Sequence, residues 1–480
     1  MGMIRPMSVI LFCFCVVIKP LALGADDDLH SAESDNDRST QSDRYVEVRQ
    51  ILISGNKVTK ARVILNELIV NQGEKVLVNR LGLVIKRSRE NILNTSLFNF
   101  VSVTYSLHQD ETVVLQVKVE ERWYWWVFPI FEHADRNFSA FLDNGSWSRV
   151  NYGIYIKKDN FRGRNEVLKF RIRNGYSTQL SLYYHSPEYR HKTGWGFAIN
   201  FQAYNQLPYI TAANRPVDLK LLDGVVQYLY KTEVFYSIRS DLSQRHWLTL
   251  GYNQYHVKDT VVALNPEYLT PGKERLLFME LSYQYKYDTR DSKVYPLKGN
   301  LFSMKLAKTG FGVWDSDLDD FSVSAQVHKH FKFSSRWNWG TMLKGQISTS
   351  KKLPYVIKRG IGYNGFINGY ELYVMDGTKS VLYQNKLLFT LIEPRIKHLD
   401  FVPLSQFAKI HYAFYLKVFG DVGYVSQSQH LASNNMVNSW QYGYGFGVDL
   451  VTFYDKVVSF NYAANKFGQH GFFVHLNLVL

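Results

Sequence analysis

From Trp123 to the end of the chain, apolar and polar positions alternate in short runs separated by turn residues. Leu281, Tyr283, Tyr285 and Tyr287 alternate with Ser282, Gln284, Lys286 and Asp288. After a connection holding Pro296 and Gly299, Phe302, Met304 and Leu306 alternate with Ser303, Lys305 and Ala307. A period of two puts one set of side chains on each face of a strand, so the pattern predicts a hairpin with one apolar and one polar face. Tyr152, Ile154 and Ile156 set against Asn151, Gly153 and Tyr155 repeat it. So do Tyr442, Tyr444, Phe446, Val448 and Leu450, set against Gly443, Gly445, Gly447 and Asp449. The final run puts Phe472, Val474, Leu476, Leu478 and Leu480 on one face and Phe473, His475, Asn477 and Val479 on the other. About 360 residues at ~22 per strand and turn predict ~16 strands, an even number as in single-chain bacterial membrane barrels. The segment Trp123–Phe131 is the most aromatic in the chain. Its consecutive rings would face both sides of a strand, which suits a lipid–water interface, and the first barrel strand is placed there.

The pattern differs between Tyr45 and Glu121. Val46, Val48, Ile51 and Ile53 make an apolar strand ending at Ser54-Gly55-Asn56. Thr59 is placed to cap a helix carrying Val63, Ile64 and Leu68. A second helix follows with Leu81, Ile85 and Ile92 on one face, then two alternating strands around a turn at Gln109-Asp110. Strand, helix, helix, strand, strand over about 75 residues is enough for a small α+β domain with its own core. Residues 25–44 are acidic and polar and are predicted to be a disordered leader. Before them, Arg5, an apolar run from Met7 to Ile18 and the small residues around Ala22-Leu23-Gly24-Ala25 predict a secretory signal peptide over residues 1–24. The lipoprotein alternative fits less well, because Phe12 and Phe14 precede Cys13 and Cys15. Both cysteines lie in that signal, so the exported chain would use neither disulfides nor thiolate metal sites.

Composition narrows the class. The mean hydropathy is −0.22, and no run of about 18 apolar residues follows the N-terminus. A helical membrane protein is thereby excluded, whereas a barrel escapes that test because its strands meet lipid at every second residue. The net charge of +14 raises nucleic acid as a partner, but the basic residues are spread through the strands without a recognition motif. Catalytic readings find no Gly-x-Ser-x-Gly elbow and no His-Glu-x-x-His. Asp315-Ser316-Asp317-Leu318-Asp319-Asp320 starts like a calcium loop but lacks the glycine and glutamate that complete one. His328 and His330 share a strand face with no third ligand in view, and lumen-lining histidines are the better reading. No enzyme activity, cofactor or metal is expected.

Several stretches carry a family resemblance. Ile53-Ser54-Gly55-Asn56-Lys57-Val58-Thr59 and Ser96-Leu97-Phe98-Asn99-Phe100-Val101 resemble a POTRA (polypeptide-transport-associated) domain, with Gly55 and Asn56 at its entry turn. Tyr287-Asp288-Thr289-Arg290-Asp291, followed by Pro296-Leu297-Lys298-Gly299 and Phe302, resembles a signature hairpin of the BamA/TamA superfamily of outer-membrane barrels. Asn160-Phe161-Arg162-Gly163 resembles that family's early Asn-x-x-Gly turn. The stretch Arg359 to Tyr370, with Gly365, Asn368 and Gly369, resembles its inward-folding loop, and Asp421 and Gly423 lie on the strand that faces the loop tip. Three departures stand out. Asn368 occupies the place of the family's loop arginine, so either a neutral bond to Asp421 holds the tip or another cation such as Arg359 takes over. One POTRA-like domain is present rather than several, and Leu480 ends the chain in place of phenylalanine.

The resemblance implies an all-β transmembrane barrel over residues 122–480, with a small N-terminal α+β POTRA-like domain over residues 45–121. It implies a Gram-negative outer-membrane location with that domain in the periplasm. It further implies a protein that assembles, inserts or translocates other polypeptides, with periplasmic or lipoprotein accessory subunits and outer-membrane lipid as further partners. Client contact would run through a sheet edge and through a weak seam between the first and last strands. The alternatives are a passive channel or a structural subunit of a larger outer-membrane complex.

Overall fold

The computed structural model describes residues 44–133, 150–188, 192–221, 224–312, 318–400, 402, 407, 409–452, 454 and 456–477. The expected signal peptide, nearly all of the acidic leader, the start of the calcium-like loop and the terminal Leu480 lie outside them. Val46–Leu480 forms one compact unit.

The small domain begins with β1 (Tyr45–Ser54), followed by α1 (Ala61–Leu65), the short β2 (Lys75–Leu77), a 3-10 turn at Val78–Arg80 and α2 (Leu81–Leu93). It ends with β3 (Phe98–Leu107) and β4 (Thr112–Glu121). The sheet order is β2-β1-β4-β3, with β1 parallel to β4 and β3 antiparallel to it. Val63, Ile64, Leu68 and Ile92 pack on Val101, Val103, Val117 and Val119. A second cluster joins Val46, Val48, Val113 and Leu115 to Leu81 and Val84. The apolar side chains of both helices therefore meet one sheet face, joined by Leu68, which lies beyond the end of the five-residue α1 rather than on it as the spacing predicts. Each such fully buried aliphatic side chain contributes about 1.5–3 kcal/mol.

Sixteen antiparallel strands follow. The first half is β5 (Trp125–His133), β6 (Val150–Phe161), β7 (Glu166–Gly175), β8 (Ser177–Ser186), β9 (Thr193–Tyr204), β12 (Gln227–Asp241), β13 (Gln244–Val257) and β14 (Arg275–Asp288). The second half is β15 (Gly299–Thr309), β16 (Asp320–Lys332), β17 (Trp337–Ser348), β18 (Lys379–His398), β19 (Lys409–Ser426), β20 (Gln441–Thr452), β21 (Lys456–Asn465) and β22 (His470–Asn477). A separate hairpin, β10 (Gln206–Ala212) with β11 (Arg215–Lys220), is inserted between β9 and β12. Every barrel strand pairs with its neighbour in the chain, from β5 at one end of the sheet to β22 at the other.

The alternation becomes two faces. Val127, Ile154, Ile172, Val234, Leu248, Leu281, Val418, Phe446 and Phe472 are exposed on the outside, whereas Asn151, Tyr155, Ser303, Gln441 and Asp449 are buried inside. An outer band of aliphatic and aromatic side chains around a polar interior is the wall a bilayer requires.

The two rims differ. On the rim that carries the small domain, the barrel strands are joined mostly by short turns. On the far rim the β10–β11 hairpin, the segment after β13 with a helix at Asp259–Leu264, and the long connection between β17 and β18 pack together. Their core holds Leu207, Val261, Tyr268, Leu269, Leu276, Phe278, Leu353 and Tyr355.

Candidate functional site

The connection between β17 and β18 folds inward. Ile361, Ile367, Tyr370 and Met375 pack against Leu382, Val425, Met436 and Val437. At the tip, the Asn368 backbone N–H and Nδ2 both donate to Asp421 Oδ2, at 3.0 and 2.6 Å. Gln384 Nε2 donates to the same oxygen at 3.0 Å and to the Phe366 carbonyl at 3.0 Å. Asn461 Nδ2 reaches Asn368 Oδ1 at 3.3 Å, and Asn465 Nδ2 donates to the Gly369 carbonyl at 3.0 Å. Tyr370 is 1% exposed, and its hydroxyl donates to Gln441 Oε1 at 3.0 Å. Arg359 does not reach Asp421. Its guanidinium donates to the Tyr355 and Lys358 carbonyls and stacks 4.5 Å from the Tyr363 ring. Three neutral N–H donors thus serve one carboxylate oxygen where the family resemblance expects a cation.

Glycine makes this approach possible. A Cβ on Gly443 would overlap the Asn368 carbonyl oxygen, and one on Gly423 would press into Ile361 and Ile367. Gly365 closes a tight turn by accepting a bond from the Gly362 N–H at 2.8 Å. The loop also touches the last strand. Glu371, 1% exposed, lies 3.4 Å from His475 Nε2 on β22, and the Phe366 ring sits 5.0 Å from the His475 ring. Sequence reasoning missed Glu371, although its place next to Tyr370 was the available signal.

The signature hairpin builds a different feature on the opposite rim. Arg290 makes a bidentate pair with Asp288 at 2.7 and 2.8 Å. Asp291 Oδ1 accepts from the Ser292 and Leu297 N–H groups, which shapes the turn before Gly299 re-enters β15. Between them, Tyr295 swings under the barrel beside Pro296. It packs on Leu388, Tyr415 and Val457, and its hydroxyl donates to Asp449 Oδ2 at 2.8 Å. Phe302 stays on the wall, 6.1 Å from the Tyr285 ring. His328 and His330 share a face on β16 with ring centroids 6.4 Å apart.

The small domain meets this rim through its entry loop. Thr59 does not cap α1, whose first turn has Lys60 as its N-cap residue and no side-chain cap. Instead, Asn160 Nδ2 donates to Thr59 Oγ1 at 2.8 Å. Thr59 lies 3.0 Å from the Tyr124 hydroxyl, which donates to the Leu97 carbonyl at 3.0 Å. Burial holds the Tyr124 phenol well above its ordinary pKa, so it remains a neutral donor. Glu121 accepts from the Val58 and Thr59 N–H groups, and Asn56 Nδ2 donates to the Thr59 carbonyl. Gly55 lies flush against Val119, while Gly163, at a φ of +73°, lets its carbonyl accept from the Lys60 N–H at 2.9 Å. The POTRA-type turn and the early barrel turn are thus two halves of one joint.

Further round the rim, Glu67 accepts a bidentate bond from Arg239 at 2.6 and 2.7 Å. Asn94 at the end of α2 donates to the Asp291 carbonyl and accepts from the Lys293 N–H. Lys409 pairs with Glu120 at 2.8 Å. Among the described residues no ladder joins β5 to β22. Near the seam, Trp126 packs edge-on against Tyr454 at 5.0 Å, and the Trp123 N–H donates to the Tyr454 hydroxyl at 3.1 Å.

Residues 160–381 match the family model of the Omp85 superfamily domain. The structure is similar to that of BamA from Haemophilus ducreyi lacking POTRA domains 1–3, at 16% identity and a TM-score of 0.50, covering 90% of this chain and 83% of that one. It is also similar to CdiB from Escherichia coli, at 10% identity and a TM-score of 0.54, covering 90% of this chain and 75% of that one. At these identities the likeness is one of fold. No curated protein matches the sequence. Residues 160–381 thus match an Omp85 superfamily domain, and the sixteen-stranded barrel is built around them.

Proposed function

We propose that this protein assembles, inserts or translocates other polypeptides in the outer membrane of a Gram-negative bacterium, with residues 45–121 as a POTRA-like domain in the periplasm. The observation that carries this reading is the seam. A sheet of sixteen strands ends at β5 and β22 with no ladder between them among the described residues. Backbone N–H and C=O groups left unpaired beside hydrocarbon are costly, and a client strand pairing with them removes that cost. The mechanism is edge templating without covalent chemistry. Asp421 and the loop residues Asn368, Gly369 and Tyr370 would hold the wall behind the seam in register while its edge exchanges partners.

Client contact on the water side would use β3, the long edge strand of the small sheet, by strand addition. Arg89 Nε already takes the Val101 carbonyl at 3.0 Å, so the available stretch is the exposed run from Thr104 to Leu107.

Two experiments test the reading. Cysteines placed on β5 and β22 and oxidised to join the strands are expected to stop insertion of client barrels, and reduction is expected to restore it. Normal client assembly by the locked protein would sink the seam mechanism. Depletion followed by a census of outer-membrane proteins names the clients, and an unchanged census sinks the assembly role.

A further inference from the structure

Between the small domain and the barrel rim lies a cavity of about 630 Å³. The domain contributes α2 and the loop after α1, and the barrel contributes Pro187 and Glu188 after β8 and the turns after β12 and β14. Among the described residues, six cationic side chains line it against four carboxylates. Arg239 with Glu67 and Arg290 with Asp288 form bidentate pairs that satisfy each other. Arg87 pairs with Glu90 at 3.3 Å, and the other three cations are less well matched. Arg245 Nε lies 3.7 Å from Glu188, which also accepts from Ser237. Lys286 lies 3.4 Å from an Asp288 already engaged by Arg290. Lys293 Nζ donates to the Asn94 backbone carbonyl at 3.1 Å. Its amine is open to the cavity yet ringed by protein, and that enclosure, with Arg245 beside it, holds the pKa down to about 8. His185 Nε2, on the same wall, is buried and has no hydrogen-bond partner.

We propose that this cavity is a binding site for acidic segments of polypeptide, whose side-chain carboxylates would be shared among Lys293, Lys286 and Arg245. Its volume is that of a ligand pocket and far exceeds one small oxyanion. Trp247, Leu242 and Ile69 on its wall offer apolar contact between the charges, as an extended peptide requires. The apolar wall residues are scattered among charged ones and make no groove for an acyl chain, which argues against a lipid headgroup site. The inference rests on the proposed function, because it gives polypeptide traffic a station between domain and lumen.

The test uses the full chain in nanodiscs of neutral lipid and a fluorescent peptide of alternating Glu and Ser. The controls are the matching Gln–Ser peptide, inorganic phosphate and nanodiscs containing anionic lipid. The acidic peptide is expected to bind, to weaken about tenfold in Lys293→Gln, a loss equivalent to one charge-assisted contact, and to recover in Lys293→Arg. Heat-dependent gel migration confirms that each variant is folded. Equal binding of the Gln–Ser peptide, or an unchanged affinity in Lys293→Gln, overturns the proposal. Displacement by phosphate at equal concentration makes the cavity a simple oxyanion site and also overturns it, as does loss of peptide binding in anionic nanodiscs. A client-assembly assay on the same samples separates the two readings. Binding without assembly retires the proposed function and keeps the site; assembly without binding does the reverse.

Discussion

The two rims of this barrel are covered by opposite kinds of chemistry. On the domain side the contacts are polar and individually addressed: Arg239 with Glu67, Lys409 with Glu120, Asn94 with Asp291, and the chain from Asn160 through Thr59 and Tyr124 to the Leu97 carbonyl. On the far side an apolar core built on Leu269, Leu276, Val261 and Tyr268 packs the connections together. Polar strapping supplements it there. Asn214 donates to Asn435 and accepts from the Met436 N–H, which ties the β10–β11 hairpin to the connection between β19 and β20. Directional charged contacts fix an orientation and are lost when one partner is removed or screened, whereas apolar burial is insensitive to a single charge. The expected consequence is that loss of a single polar partner loosens the small domain, whereas the far rim tolerates it.

The largest effect should come from emptying the packing on the loop side. Tyr370→Ala removes a ring 1% exposed, together with its bonds to Gln441 and the Lys466 N–H. Truncating a buried aromatic costs about 3–5 kcal/mol. Thermal unfolding followed by gel migration should show a lower midpoint, and proteolysis should cut within the freed loop. Spin-label distances between domain and barrel should stay as in the parent. A domain that swings out in this variant would mean the two rims are coupled.

The domain side should break next. Arg239→Ala leaves Glu67 without its bidentate partner at a place where both side chains are 11% exposed. The expected cost is about 2–4 kcal/mol, much of it the penalty of an unpaired carboxylate. Distances between α2 and the turn after β14 should lengthen or broaden, with the unfolding midpoint of the barrel little changed. Glu67→Gln in the same chain should recover part of the loss, because a neutral amide tolerates the site better than a lone charge. Smaller again is the contribution of Lys409 and Glu120, which are exposed. Replacing either by Ala should cost under about 1 kcal/mol and vanish at high salt.

The parts of this molecule that repeat along the chain could be read before any coordinates. Period-two alternation from Tyr152 onward corresponds to strands with Ile154, Phe446 and Phe472 outside and Asn151 and Asp449 inside. The strand–helix–helix–strand–strand order likewise followed from local pattern, except for the three-residue β2, which is too short to show a period and which adds an edge to the sheet. What joins distant parts was not legible. Thr59 precedes a helix and reads as its cap, but its hydroxyl is taken by Asn160, 101 residues away. Glu67 and Arg239 are 172 residues apart, and nothing in either neighbourhood marks them as partners. The β10–β11 hairpin has the alternation of a wall strand, yet it forms its own two-stranded sheet. Local periodicity reports which face a residue occupies. Closure of the rims depends on which turns meet, and that is decided by strand count and register.

The tip of the inward loop carries an effect of comparable size for one variant and the smallest of all for another. Asp421 Oδ2 accepts from the Asn368 N–H, Asn368 Nδ2 and Gln384 Nε2. Asn368→Ala removes one of these three donors and should cost about 0.5–1.5 kcal/mol. Asn368→Arg supplies the cation that the family resemblance leads one to expect, and a charged donor makes a bond about twice as strong as a neutral one. The gain should still be small. The oxygen is already served, and the Asn368 carbonyl is wedged against Gly443, where even a Cβ would overlap it, so the tip cannot shift to seat a guanidinium. Equilibrium unfolding of the two variants against the parent decides the matter. A rise for Asn368→Arg larger than the fall for Asn368→Ala would show that the loop is under-held. The expected order, a modest fall for Ala and little change for Arg, would mean that packing of Ile367 and Tyr370, more than the bond to Asp421, keeps the loop inside the barrel.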